Sequence, residues 1–159
     1  FRNKFICVPC KCRQKTKFVP ALLEKKMSRT SGRIQRRVGV VDYRNVEQET
    51  LQNEAYRRVV YTAPNRFQLV LMSLAPGETI PGETHDDTVQ FVRVESGQGE
   101  CMVGRGSARR HLALHDGIAV TIPTSVHHAF RNTSDRDPLK MYVIYTPPEH
   151  PSDRLQQRQ

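Results

Sequence analysis

The residues best equipped for chemistry lie in two short stretches. One holds Glu83, His85 and Gln90, and the other holds the adjacent His127 and His128. Glu83 and His85 are two positions apart, so on a strand both side chains project from one face. Gln90 continues that segment, while the second stretch supplies a histidine from a different strand. A barrel brings such residues together, because alternate positions of every strand point inward. The donor set is then one carboxylate oxygen, two imidazoles and one amide oxygen. Such a set suits a divalent transition metal (Mn, Fe, Co, Ni or Zn) rather than Cu(I) or an iron–sulfur cluster. With one anionic ligand the ion stays Lewis acidic, and open positions would take water or a chelating oxygen substrate. The competing reading is a buried, hydrogen-bonded Glu–Gln–His network; nitrogen and oxygen ligand preferences favour the metal. His127 and His128 face opposite ways on a strand, so they compete for one inward position. His111 and His115 fall on an outer strand face and His150 in a Pro-rich tail, and all three read as surface residues. Asp86 and Asp87 read as solvated turn residues.

The elements that must position these groups are short strands. Candidates are Val38–Val41, Arg57–Thr62, Phe67–Leu74, Val89–Glu95, Glu100–Val103, Ala108–His115, Ile118–Ile122, His127–Asn132 and Leu139–Thr146. A short helical turn is expected within 46–56. Breaks fall at Ala63-Pro64-Asn65-Arg66, Gly97-Gln98-Gly99, Gly104-Arg105-Gly106, Asp116-Gly117 and Ser134–Pro138, with ten Pro and nine Gly in the chain. Strands at roughly 8–12-residue spacing point to a sandwich or barrel rather than βαβ units. Alternation puts Gln90, Val92 and Val94 on one face of their strand, with Arg93 and Glu95 on the other. It turns Leu112 and Leu114 inward, with His111 and His115 outward. Phe67–Leu74 is apolar on both faces, so its outer face needs a cover, and a second subunit is one candidate.

The chain of 159 residues, 37% of them hydrophobic, suffices for one domain with a real core. Its net charge of +9 at first points to nucleic acid or a membrane surface. The charge is unevenly placed. Residues 1–40 carry 12 Lys/Arg and one acid, Glu24, while residues 41–159 carry 13 Lys/Arg and 15 acids. A basic, largely irregular arm (1–40) is therefore expected ahead of a nearly neutral barrel (41–150) and a polar tail (151–159). The arm has little aromatic interleaving, so sequence-specific nucleic-acid readout is not expected. Its Arg-rich, acid-poor composition suits a transit peptide, and Met27-Ser28 would serve as a start of its own, leaving residues 1–26 as upstream sequence, fragment end or targeting segment. No run approaches the roughly 20 apolar residues that a membrane helix needs. Cys7, Cys10 and Cys12 could form half of a zinc site but lack a second pair nearby. They read as reduced cysteines in the arm, and a cytoplasmic protein is expected.

Two spaced blocks carry a resemblance. The first runs Gly77-x5-Glu83-x-His85-x4-Gln90-x6-Gly97, and the second Gly117-x5-Pro123-x-Ser125-x2-His128-x3-Asn132. They resemble the two motifs of the cupin superfamily, Gly-x5-His-x-His-x4-Glu-x6-Gly and Gly-x5-Pro-x-Gly-x2-His-x3-Asn. Seven of the ten defining positions are identical, and the departures are Glu83, Gln90 and Ser125. Gly82–His85, Val89–Gly97 and Tyr145–Pro151 are further similar to a small single-domain group called mannose-6-phosphate isomerase-like. The resemblance implies an all-β double-stranded β-helix, or jelly-roll barrel, with metal ligands at Glu83, His85, Gln90 and His128. The Pro123 and Asn132 offsets select His128 over His127, which is left as the candidate for moving protons. Such a protein would act on an oxygen-rich small molecule, a sugar or sugar phosphate first, as a metal-dependent isomerase or a dioxygenase. A non-catalytic ligand-binding barrel is the alternative, and a nucleic-acid-associated protein a more distant one. A homodimer is expected, since cupins commonly dimerise.

Overall fold

The computed structural model describes residues 36–38 and 41–157. Cys7, Cys10, Cys12 and the basic arm up to residue 35 lie outside the described residues. In place of one strand over Val38–Val41, Arg36–Val38 (β1) pairs antiparallel with Val41–Tyr43 (β2). The single α-helix among the described residues, Val46–Gln52 (α1), begins at Asn45. The Asn45 side chain accepts a hydrogen bond from the Gln48 amide at 3.0 Å, and Glu47 and Glu49 favour the positive end of the first turn.

Ten strands follow: Arg57–Ala63 (β3), Phe67–Leu74 (β4), Thr79–Glu83 (β5), Val89–Ser96 (β6), Gln98–Val103 (β7), Arg110–His115 (β8), Ala119–Ile122 (β9), His128–Asn132 (β10), Leu139–Thr146 (β11) and Leu155–Gln156 (β12). They form two antiparallel sheets, ordered β5-β10-β7-β8 and β12-β3-β4-β11-β6-β9. The inward residues of both sheets interdigitate in one core that includes Val70, Met72, Val92, Val94, Phe130, Met141, Val143 and Tyr145. This is the all-β jelly roll, and the face pattern Gln90-Val92-Val94 is buried as alternation requires.

Several local expectations need correction. β5 was not anticipated, because Pro81-Gly82 interrupts the apolar pattern. As the edge of its sheet, the strand can lose a ladder donor at Pro81. Gln98 and Gly99 start β7 instead of breaking the chain, and Ala108 ends a 3-10 turn before β8 begins at Arg110. Leu114 is buried but Leu112 is 43% exposed, since β8 is an edge strand and the core ends beside Leu114. The part of the chain expected as a polar tail adds β12 to β3. On the outer face of β4, Leu69 and Leu71 are buried with Val60 against Val46, Tyr61, Tyr142 and Ile144, while Phe67 stays 40% exposed.

Candidate metal centre

Four polar side chains meet where the two sheets open at one end. Glu83 closes β5, His128 opens β10 directly opposite it in register, and Gln90 is the second residue of β6. His85 does not share a strand with Glu83. β5 ends at Glu83, and His85 is delivered by the bend that follows, which is pinned when its carbonyl accepts from the Ser125 amide at 2.7 Å. Ligand atoms of Glu83, His85 and His128 all lie within 4.8 Å of one another.

The bonding at these atoms is incomplete. Glu83 Oε1 stands 3.4 Å from His85 Nε2 and 3.5 Å from His128 Nε2, both long for a hydrogen bond. Glu83 Oε1 and His85 Nε2 are buried without a hydrogen-bond partner. On the far side of its ring, His128 donates from Nδ1 to the Val126 carbonyl at 2.9 Å, which turns Nε2 toward the other donors. There Nε2 meets Gln90 Oε1 at 2.7 Å, while the Gln90 amide nitrogen reaches the Tyr145 hydroxyl at 3.4 Å. A neutral His128 would thus confront two oxygen acceptors with a lone pair. The arrangement calls for a positive centre, which a proton or a metal ion would provide. The hydrogen-bonded network considered above leaves two buried atoms unsatisfied, whereas a divalent ion would satisfy every one of these atoms.

Electrostatics agree in direction. Burial pushes the Glu83 carboxyl up, but the nearby His128 and His85 imidazoles outweigh it and hold the pKa below the usual range. Burial pushes His128 down, yet Glu83 and the Val126 carbonyl raise it above its ordinary value. In the absence of metal the pair leans toward carboxylate and imidazolium.

Around this cluster stand residues that sequence reasoning missed. The Glu149 carboxylate lies 3.3 Å from His85 Nδ1, and Thr88 Oγ1 donates to its other oxygen at 3.0 Å. His150 is half-buried rather than a free surface residue. Its ring packs edge-on against Tyr145 at 5.1 Å, and its backbone exchanges two hydrogen bonds with the Gln68 amide, at 2.7 and 3.0 Å. Burial and then Arg57 push its pKa down to about 4. Both residues belong to the Tyr145–Pro151 stretch singled out in the sequence, but no spacing rule reveals which side chains they touch.

His127 points away from the cluster, as its place next to His128 dictates. Its Nδ1 sits 3.1 Å from Thr84 Oγ1 and 3.2 Å from the Arg105 guanidinium, against Gly82, where a methyl group would collide with the ring. His111 bonds Glu100 on the surface, and His115 its neighbour's carbonyl. Asn132 uses its buried amide to hold the carbonyls of Leu74, Ala75 and Asp137 near 3 Å, fixing two loops at the opposite end of β10 from His128.

Comparison with known proteins agrees with this geometry. Residues 70–145 match the cupin domain. The chain is 42% identical to the uncharacterized protein L612 of Acanthamoeba polyphaga mimivirus over 114 residues, covering 72% of this chain and 70% of that protein. It is 39% identical to the uncharacterized protein YrkC of Bacillus subtilis over 111 residues, covering 67% of this chain but 58% of the relative's length. Among solved structures, BH2720 of Bacillus halodurans superposes with a TM-score of 0.68 at 40% identity, covering 76% of this chain and 89% of that one.

Proposed function

This chain belongs to the cupin superfamily, and from that premise we propose that it is a metal-binding cupin acting on an oxygen-rich small molecule. The observation that carries the proposal is the pair of buried, unpartnered donor atoms, Glu83 Oε1 and His85 Nε2, converging with His128. Glu83, His85 and His128 would hold the ion, with Gln90 Oε1 as a fourth donor. Their mixed nitrogen and oxygen set suits Mn, Fe, Co, Ni or Zn. A bound ion would polarise a carbonyl or hydroxyl oxygen of the substrate. The chain's own part is to orient the ligands, through the Val126 carbonyl behind His128 and Glu149 behind His85, and to keep bulk water off the inner wall with Tyr145 and Phe130. Sugars and sugar phosphates are the first substrates to try, with isomerisation ahead of dioxygenation as the reaction.

Elemental analysis of the purified full chain tests the reading. Stoichiometric divalent metal is expected, lost in His85→Ala and His128→Ala, with a melting temperature lowered by chelator. Metal-free protein that melts identically with and without chelator and added Mn, Fe, Co, Ni or Zn rejects it.

A further inference from the structure

A cavity of about 530 Å³ opens beside Glu83, and it contains two guanidinium groups that no carboxylate among the described residues pairs with. Its walls include Tyr56, Arg57, Glu78, Glu83, Arg154 and Gln156. Strand alternation explains how an arginine came to face inward. Arg57 shares parity with Val59, which is in the main core, and lies opposite Met72, another core residue. Its guanidinium carbon sits 5.5 Å from the centre of the Tyr56 ring, and one terminal nitrogen donates to Gln156 Oε1 at 3.3 Å. Its Nε is buried with no hydrogen-bond partner. Arg154 reaches the same Gln156 oxygen at 3.5 Å from the exposed rim. No Asp or Glu among the described residues forms an ion pair with either arginine.

The two carboxylates of the cavity are engaged elsewhere. Glu78 accepts from the Ala75 amide at 2.6 Å, capping its own turn, and Glu83 faces the two imidazoles. The cavity therefore holds uncommitted positive charge at one side and the metal ligand Glu83 at another. A buried N–H left free is costly, and the half-exposed guanidinium fork that carries it matches the oxygens of a carboxylate or phosphate.

We propose that Arg57, assisted by Arg154, is an oxyanion subsite, so that the small molecule taken by this protein is an anion: a hydroxy acid or a phosphate ester. The anionic group sits against Arg57, and its hydroxyl or carbonyl oxygens are directed toward the Glu83 end. A volume of this size fits a molecule of metabolite dimensions. The proposal rests on the metal reading for where the far end of the ligand goes, but the anion contact itself belongs to Arg57 with or without metal.

The experiment is calorimetric titration of the full chain with glycolate, glycerol 3-phosphate and, as the neutral control, glycerol. It is run on Mn-treated and on chelator-treated protein, with metal content measured in each. Binding of at least one anion but not glycerol is expected, weakened about tenfold or more in Arg57→Met at unchanged metal content. Arg154→Met should weaken it less. The tighter of the two anions identifies carboxylate or phosphate as the natural group. Absence of anion binding in both preparations, or affinity unchanged in Arg57→Met, overturns the subsite. Should β3 not tolerate Arg57→Met, affinity unchanged in Arg154→Met, which alters only the exposed rim, overturns it equally. Protein that takes up no metal yet shows Arg57-dependent anion binding upholds the subsite and defeats the metal reading, so the two failures are separable.

Discussion

Glu149 Oε1 lies 3.3 Å from Nδ1 of His85, a carboxylate placed behind an imidazole whose other nitrogen faces the cluster. Such a partner fixes which nitrogen carries the hydrogen and makes the other a better donor. Glu149→Gln should therefore weaken metal binding by about 10–100-fold, while leaving the melting temperature of chelated protein nearly unchanged. Titration with Co(II), followed by its visible absorption, reads both affinity and ligand field. Identical spectra and affinity would show that Glu149 plays no part.

Gln90 offers a neutral oxygen where a carboxylate would add charge. In Gln90→Glu the new group would face His128 Nε2 from the position of an oxygen now 2.7 Å away. Metal affinity should rise about tenfold or more, because a second anionic ligand offsets more of the ion's charge. Competition against a chelator of known affinity measures it. The chelated variant should melt lower at high pH, where His128 is neutral and the buried carboxylate has no counter-ion.

His150 makes stability depend on acid. Burial and the nearby Arg57 depress its folded pKa to about 4, against a partial rise from Glu149 and Glu83. Because the folded pKa lies below the unfolded one, the unfolded chain binds the extra proton first as pH falls. The contribution is fully present above roughly pH 6.5 and is lost on the way down to about 4. His150→Gln should flatten the decline of melting temperature over this window. An unaltered slope would assign the acid sensitivity to other groups.

Ser125 adopts φ of +62°, a left-handed conformation, at the motif position where the family has glycine. Its side chain is exposed, and its backbone amide bonds the His85 carbonyl at 2.7 Å, a bond that any residue can make. Ser125→Gly should thus stabilise the protein by about 0.5–1 kcal/mol. Chemical denaturation checks this, and a loss of stability would contradict the strain argument.

Lys140 is buried on the outer side of β11 and donates to the carbonyls of Leu51 and Asn53 at 2.7 and 3.1 Å and to Glu54 at 2.6 Å. It satisfies open carbonyls at the C-terminal end of α1. Lys140→Met should cost about 2–3 kcal/mol, and amide exchange should accelerate first in 46–53. Uniform exchange across the chain would mean that the helix is held by other contacts.

The sequence was most legible where geometry is local. Apolar runs bounded by turn residues set β4 and β11 at Phe67–Leu74 and Leu139–Thr146, the bounds observed. The offsets of the two cupin-like blocks likewise singled out Glu83, His85, Gln90 and His128, which the fold brings near one another although His85 leaves the strand of Glu83. β5 escaped because Pro81-Gly82 imitates a turn, and only its edge position makes a strand there tolerable. Alternation gave the face that Leu112 shares with Leu114 but not how far along β8 the core extends. Glu149, His150 and Arg57 were illegible for another reason. Each matters through a partner brought near only by folding, and no offset in the chain encodes that meeting.

The paired hydrogen bonds between the Gln68 side chain and the backbone of His150 give position 68 an unusual specification. A primary amide sets an N–H donor beside its carbonyl acceptor, so Gln68 acts as a peptide unit added to the segment that carries Glu149, while its second N–H goes to Thr62 Oγ1 at 3.0 Å. Glutamate would present two acceptors to a carbonyl, and asparagine falls one methylene short. The address for tuning His85 thus extends to a fully buried glutamine on β4, hydrogen-bonded to the segment that places Glu149, where the mildest replacements would be felt at Glu149 before they were felt in the core.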